Sequence, residues 1–445
     1  MNDLTNLKQM NISEEIKRWN ILAHQWNKAS KPWNAGSSKE NKEFKYKINA
    51  YFVLRYLSLE CYREQRVAFS GMLPIAENSV PLCDADYILY MHPYARIQDA
   101  SEFVLKELRL VDKYRKKGAE IIVLGKSANA QKKLNGEIKN ITFWGDHFVA
   151  KLAKRFDLDI KERYFVYDDT MGHLAIWPVD GCLQKCGFCR RNYMNIKFES
   201  IPLEIIKENL DFIKKEDPRK MKYISLRAEN LTEYGMDIYG EPKLDELLDL
   251  INSYDEVESI SFPIGMTIGE ITPNILDALC RLKKIQFIRL HLETGSDRLL
   301  DLIGKKHTNE RAIQIYHAIQ KFHPETDIHS NVMIGLPTEE ITDIYSLADL
   351  IVEAKPNQIY CVFYGNNPDQ PLAKLPQMSD SLREYHLKIL IQQLKKKVDF
   401  EMLFIYYRIF KNQNAKKIIK LKKEMEEYFS KTGLGMHYNA FLKFK

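Results

Sequence analysis

A chain of 445 residues, 45% hydrophobic and 28% charged, has the make-up of a globular protein with room for more than one domain, at about 150 residues each. The net charge of +6 allows an anionic partner without requiring one. No apolar run reaches the roughly eighteen residues of a membrane span, and MNDLTNLKQMNISEEIKRWN lacks the layout of a signal peptide, which points to the cytoplasm and away from the membrane.

In chain order, residues 1–45 read as an N-terminal helical extension and linker. Trp19, Trp26 and Trp33 recur at intervals of seven along ISEEIKRWNILAHQWNKA, and SKPWNAGSSKENK follows as the linker. Residues 46–165 alternate strand and helix. ADYILYMH and AEIIVLGKSA read as buried strands flanking the helical run DASEFVLKELRLVDKYRKKG, the pattern of a small doubly wound α/β domain. From 166 to 378 the alternation continues through YFVYDD, KYISLRA, VESISFPIG, IQFIRLHLE, IHSNVMIGLP and QIYCVFYG, with amphipathic helices between them. Repeated βα units of this size predict a partial parallel (β/α)6 barrel with its function at the C-terminal strand ends. Residues 379–445 (LKILIQQLKKK, NAKKIIKLKKEMEEYF) read as a helical, basic C-terminal extension.

Seven cysteines are too few for a disulfide framework, yet three of them fall within eight residues. DGCLQKCGFC places Cys182, Cys186 and Cys189 at C-x3-C-x2-C spacing after the strand-like HLAIWPV, with Gly181 and Gly187 to let the backbone turn. A structural zinc site takes four ligands, often as two pairs, and no second pair lies nearby. A ferredoxin-type cluster calls for a fourth cysteine in the loop, and none follows. Three thiolates on a four-iron cubane leave one iron open.

That loop resembles the cluster loop of radical S-adenosylmethionine (radical SAM) enzymes. The resemblance implies one [4Fe-4S] cluster on Cys182, Cys186 and Cys189. The amino and carboxylate groups of S-adenosylmethionine (SAM) would chelate the open iron, and cleavage of SAM would yield a 5′-deoxyadenosyl radical that takes hydrogen from a C–H bond. Phe188 fits the family's aromatic position beside the adenine. Over residues 46–375 the chain is most similar to the methylthiotransferases. RAENLTEYG (227–235) is similar to their GQN…YG stretch, LETGSDRLLDLIGKKHT (292–308) to QSGSD..L..M.R.YT, NVMIGLPTEE (331–340) to IVGFPGET, and VFYGNNPDQPLAKL (362–375) to FxYSxRPGTPA. Carried over residue by residue, Glu229 and Asn230 lie near SAM, Glu293 and Ser296 face its ribose or carboxylate, and Gly335, Pro337 and Glu339 shape the adenine side. Each has a plainer reading, as a solvated loop carboxylate or a helix cap. Tyr364, Tyr234, His291 and His329, near strand ends, are candidates for quenching or orienting a radical, the histidines equally for core packing.

Two departures bear on function. The family's second cluster sits on three cysteines of the N-terminal domain, where this chain has Tyr94 or Pro93, Lys126 and a position near Lys47; Cys61 and Cys83 read as buried thiols. The family's RNA-binding β-barrel is also missing from the C-terminal reading. The expectation is therefore a single-cluster radical SAM enzyme acting on a peptide, protein or natural-product intermediate, with a flavodoxin or ferredoxin as reductant. Methylthiolation or sulfur insertion on tRNA or protein is the alternative, weakened by both losses. A non-catalytic electron carrier or nucleic-acid-binding module is the second alternative.

Overall fold

The strand-like runs assemble into two main sheets. The computed structural model describes residues 50–54, 84–91, 108–109, 111–125, 136–145, 148–157, 165–168, 172–189, 197–365, 370–404 and 440–444. The first sheet is all parallel, in the order β1 (Ala50–Leu54), β2 (Tyr87–Met91), β3 (Glu120–Leu124), β4 (Ile141–Trp144). Ile88, Tyr90, Ile121 and Val123 share one apolar cluster, and Leu89, Ile122 and Leu124 on the opposite face are buried too. Both faces are covered, as a doubly wound parallel sheet requires. Helix α1 (Phe148–Phe156) follows β4 and sends Arg155 to Glu120 and over the rings of Tyr87 and Trp144. The tryptophan-bearing segment 1–45 lies outside the described residues. So do Lys47, Cys61, Cys83, Pro93, Tyr94 and Lys126, on which the loss of the second cluster was read.

Among the described residues the second sheet has nine strands. Its parallel body is β6 (His173–Ile176), β9 (Tyr223–Leu226), β10 (Ser259–Met266), β11 (Ile285–Leu290), β12 (Asp327–Ile334) and β13 (Gln358–Phe363), while β5 (Phe165–Asp168) pairs antiparallel with β6. Between β6 and β9, a short antiparallel clip of β7 (Val179–Asp180) and β8 (Glu199–Ser200) pins the two ends of the cysteine segment. The crossovers carry α2 (Leu203–Glu216), α3 (Leu244–Asn252), α4 (Pro273–Arg281), α5 (Asp297–Leu302), α6 (Asn309–Phe322) and α7 (Ile341–Ala354). Local chemistry sets their starts: Thr272 caps α4 ahead of Pro273, Thr308 caps α6, and Glu340 with Asp343 forms a capping box on α7. Among the described residues, six parallel strands with helices between them give the partial (β/α)6 arrangement expected.

Alternation along the strands sorts residues by face. Phe262, Ile288, Leu290, Ile328, Val332, Ile334 and Ile359 join the helix-facing core. Their odd-numbered neighbours Ser261, Phe287, Arg289, His291 and Asn331 keep partial exposure on the other face. Packing between crossovers is tight enough to dictate a residue at the start of α5. A Cβ on Gly295 would lie 2.0 Å from the backbone nitrogen of Leu347 in α7, so only glycine lets these two backbones meet.

The C-terminal extension departs from the all-helical reading. Helix α8 (Asp380–Lys397) is present, but β14 (Phe400–Phe404) and β15 (Ala440–Phe444) follow, and β15 lies antiparallel between β13 and β14. DFEM alternates polar and apolar residues before the apolar run MLF, and in AFLKF a lone lysine interrupts an apolar run. That signal is short, and the lysine-rich stretch between the two segments hides it. Residues 405–439, which include the remaining expected helix, lie outside the described residues. Among the described residues no helix is long and apolar enough to cross a membrane.

Candidate active site around the three-cysteine loop

The cysteine loop leaves the sheet after β7 at a turn that only glycine fits: Gly181 has φ +79, and a Cβ there would approach the Lys197 carbonyl oxygen to 2.8 Å. Its N–H donates to Asp180 Oδ1 at 3.0 Å and to Glu229 Oε2 at 3.1 Å. The buried carboxylate of Glu233 accepts from Leu183 N at 2.8 Å and from the Gln184 side-chain amide at 2.7 Å, and that amide also reaches Glu270 at 3.1 Å. Gly187 N donates to Ile303 O at 3.0 Å, and Cys189 N to Cys186 O at 3.0 Å. The Gln370 amide donates to Phe188 O. Segments following β9, β10, β11 and β13 thus fix one nine-residue loop over the strand ends.

Glu233 is the main tether. Glu233→Ala should leave the Leu183 N–H without its acceptor and the Gln184 amide with Glu270 alone, at a cost of about 1–3 kcal/mol for the orphaned N–H if it stays buried. The expected result is a folded protein with reduced iron content after reconstitution, read by metal analysis beside a thermal melt. Full iron content would show that the loop holds its shape without this tether.

Under the loop lies an apolar bed of Leu299, Leu300, Ile303, Met333, Leu336, Tyr364 and Leu372, with Phe188 packed against it. Beside it sits a buried ion pair. Lys305 Nζ lies 3.1 Å from Glu293 Oε1, and both side chains are 8% exposed. Lys305 also hydrogen-bonds to the Cys186 side chain and lies 5.8 Å from the Phe188 ring centroid. Burial alone would raise the Glu293 carboxyl, but Lys305 and then His291 outweigh it and hold it below the usual carboxylate value. Burial pulls Lys305 down, yet Glu293 and Cys186 outweigh that and leave it raised. Burial pushes the Cys182 thiol to about 12, with Glu233 adding to the rise, and Cys186 to about 11, with Lys305 opposing. A bound cation is what converts such thiols to thiolates.

Glu293 stands at a strained position, φ +64, and bridges two strands: its N–H donates to Asn331 O and its carbonyl accepts from Met333 N. Ser296 caps α5 through Leu299 N at 3.4 Å. Asn230 Oδ1 accepts from Thr232 Oγ1 at 2.6 Å and Thr267 N at 3.3 Å, while its buried Nδ2 has no partner. Glu339 turns towards α8: its Oε1 accepts from Gly335 N at 2.9 Å and lies 2.8 Å from His386 Nδ1. Pro337 is buried in the same turn. Of the radical-handling candidates, Tyr364 belongs to the apolar bed under the loop. Tyr234 is buried and donates to Ile201 O at 2.7 Å, and burial raises its phenol. His291 lies 3.2 Å from Ile264 O, and burial pushes it down to about 4. His329 is near the start of β12, 2.9 Å from Asp327 and edge-on to Phe287.

Five residues of this arrangement went unnamed in the sequence: Gln184, Glu233, Glu270, Lys305 and Gln370. Glu233 lies inside RAENLTEYG, Lys305 inside LETGSDRLLDLIGKKHT and Gln370 inside VFYGNNPDQPLAKL, so motif membership was the available signal for these three. Among the described residues no three or more His, Cys, Asp or Glu side chains are arranged to hold a single metal ion. A cubane makes a different demand, because each thiolate binds a separate iron corner. Three cysteines on one tethered loop, with a lysine beside one sulfur, suit that group.

Comparison with known proteins bears on the same region. Residues 177–351 match the Radical SAM superfamily. The ribosomal protein uS12 methylthiotransferase RimO of Pseudothermotoga lettingae is 26% identical over 248 residues, 53% of this chain and 56% of that protein. The tRNA-2-methylthio-N(6)-dimethylallyladenosine synthase of Orientia tsutsugamushi is 29% identical over 219 residues, 48% of each. The chain spans about half the length of these curated relatives. A solved structure of the cobalamin-dependent S-adenosylmethionine radical enzyme OxsB covers 79% of this chain and 57% of its own, at 12% identity and a TM-score of 0.49.

Proposed function

Residues 177–351 form a radical SAM domain, the domain of an enzyme that uses a [4Fe-4S] cluster and SAM, and from that premise we propose that Cys182, Cys186 and Cys189 hold the cluster. When bound, the cluster and SAM supply a 5′-deoxyadenosyl radical. The protein's own residues do the holding. Glu233, Gln184 and Gly187 fix the loop backbone that carries the three thiols. Glu293 and Lys305 set a carboxylate and an ammonium side by side, a match for the ammonium and carboxylate of an amino acid. Glu229 and Asn230 border the same mouth, and Asn230 Nδ2 has a donor to give. Ser296 and Glu339 act through the backbone: Ser296 fixes the start of α5, and Glu339 fixes the turn containing Gly335 and Pro337. Phe188 and Tyr364 give the site an apolar floor.

The substrate we propose is a peptide, protein or natural-product intermediate that loses a hydrogen atom, in the cytoplasm, with a flavodoxin or ferredoxin as electron donor. The observation carrying the proposal is the single tethered three-cysteine loop beside the Glu293–Lys305 pair. Methylthiolation, the activity in the relatives' names, is the competing reading. Iron and sulfide analysis separates the two. About four of each per chain supports the single-cluster enzyme, and about eight would require a second cluster and favour sulfur insertion.

A further inference from the structure

His307 is 9% exposed, and neither of its ring nitrogens has a hydrogen-bond partner. Buried polar groups in folded proteins are nearly always paired, so an imidazole unpaired on both sides asks for a ligand. Its surroundings say which one. Lys305, Glu293 and Asp297 lie within electrostatic range of the ring, and a Cβ added at Gly269, in the turn after β10, would lie 3.4 Å from the His307 Cβ. Lys305 and Glu293 are in turn the pair beside Cys186 and Phe188, which links the imidazole to the cysteine loop through that pair.

We propose that His307 is a binding residue for the aminoacyl end of SAM, taking a hydrogen bond there beside the Lys305–Glu293 pair. The inference rests on the reading that this site receives SAM. Ribose hydroxyls and the adenine edge also pair with an imidazole, and it is the adjacent Lys305–Glu293 ion pair, a charge match for a carboxylate and an ammonium, that selects the aminoacyl end. Burial, with Lys305 adding to it, pulls the imidazole down to about 4, so at neutral pH it offers one donor and one acceptor. The adenosine portion would lie elsewhere, on the Phe188 side.

The test uses full-length protein carrying its cluster, with His307→Leu and His307→Gln. Iron content, ligand-free thermal melting, and equilibrium binding of SAM and of methylthioadenosine, which lacks the aminoacyl end, are measured for each. The expected results are unchanged iron and a ligand-free Leu variant at least as stable as the wild type, because an unpaired polar group has been removed. SAM affinity should fall about tenfold or more in the Leu variant, as expected for losing a hydrogen bond to a charged group, and recover in part with Gln. Methylthioadenosine affinity should stay unchanged. Equal loss of both ligands, or unchanged SAM affinity, overturns the proposal, as does a Leu variant that loses its iron or melts earlier. Wild-type protein that binds no SAM at all would instead defeat the reading beneath it, before any variant is compared.

Discussion

Replacing Cys182, Cys186 and Cys189 together by Ala is expected to remove the cluster absorbance and abolish SAM cleavage while leaving the protein folded. The second half of that expectation comes from the loop's own bonding. Its backbone is held by Glu233 on Leu183 N, by Gly187 N on Ile303 O and by the Gln184 amide between two glutamates, and none of these uses a sulfur. Melting and circular dichroism should therefore stay close to wild type, since the cluster's apolar bed is built from residues of other segments. Cleavage retained by the triple variant would contradict the assignment. Loss of cleavage together with loss of fold would show that the thiols, and not the tethers, hold the loop.

The Glu293–Lys305 pair should give the largest effect of any change that leaves the cysteines in place. Each side chain is 8% exposed, so Glu293→Gln leaves a buried ammonium and Lys305→Met a buried carboxylate. Breaking a buried pair by removing one partner costs about 3–5 kcal/mol, whereas replacing both by apolar residues of similar volume is often nearly neutral. The expected pattern is two strongly destabilised single variants and a Glu293→Leu/Lys305→Met double variant closer to wild type by denaturant unfolding. All three should lose most SAM binding, because the double variant has recovered packing without recovering charge. A double variant as unstable as the sum of the singles would mean that the two side chains act independently. One with normal SAM affinity would remove the pair from the site.

Much of this arrangement could be read from the residues alone. C-x3-C-x2-C is a local pattern, and its chemistry follows from ligand number. The strands β9 to β13 announced themselves as apolar runs spaced by amphipathic helices, which is why the parallel body matches its reading. The tethers could not be read in this way. Glu233 and Lys305 carry only their membership of a motif, and Glu270 not even that, until the fold brings the ends of β9, β10 and β11 to one loop; charge and neighbours alone do not distinguish them from solvated carboxylates and a surface lysine. Glu339 was named from its motif, but its partner His386 was not: the carboxylate oxygen that holds Gly335 N also meets His386 of α8, a helix outside the motif. The strands β14 and β15 were missed because short, mostly apolar segments of five residues carry no period of their own and lie beside lysine-rich stretches that read as helix.

The central claim, that the three-cysteine loop supports reductive cleavage of SAM, is tested most directly by incubating the anaerobic, reconstituted and reduced protein with SAM. The analysis of the products then decides. The account predicts 5′-deoxyadenosine and methionine in equal amounts, formed only with reductant. Protein that carries its full iron and sulfide yet yields no 5′-deoxyadenosine would contradict it.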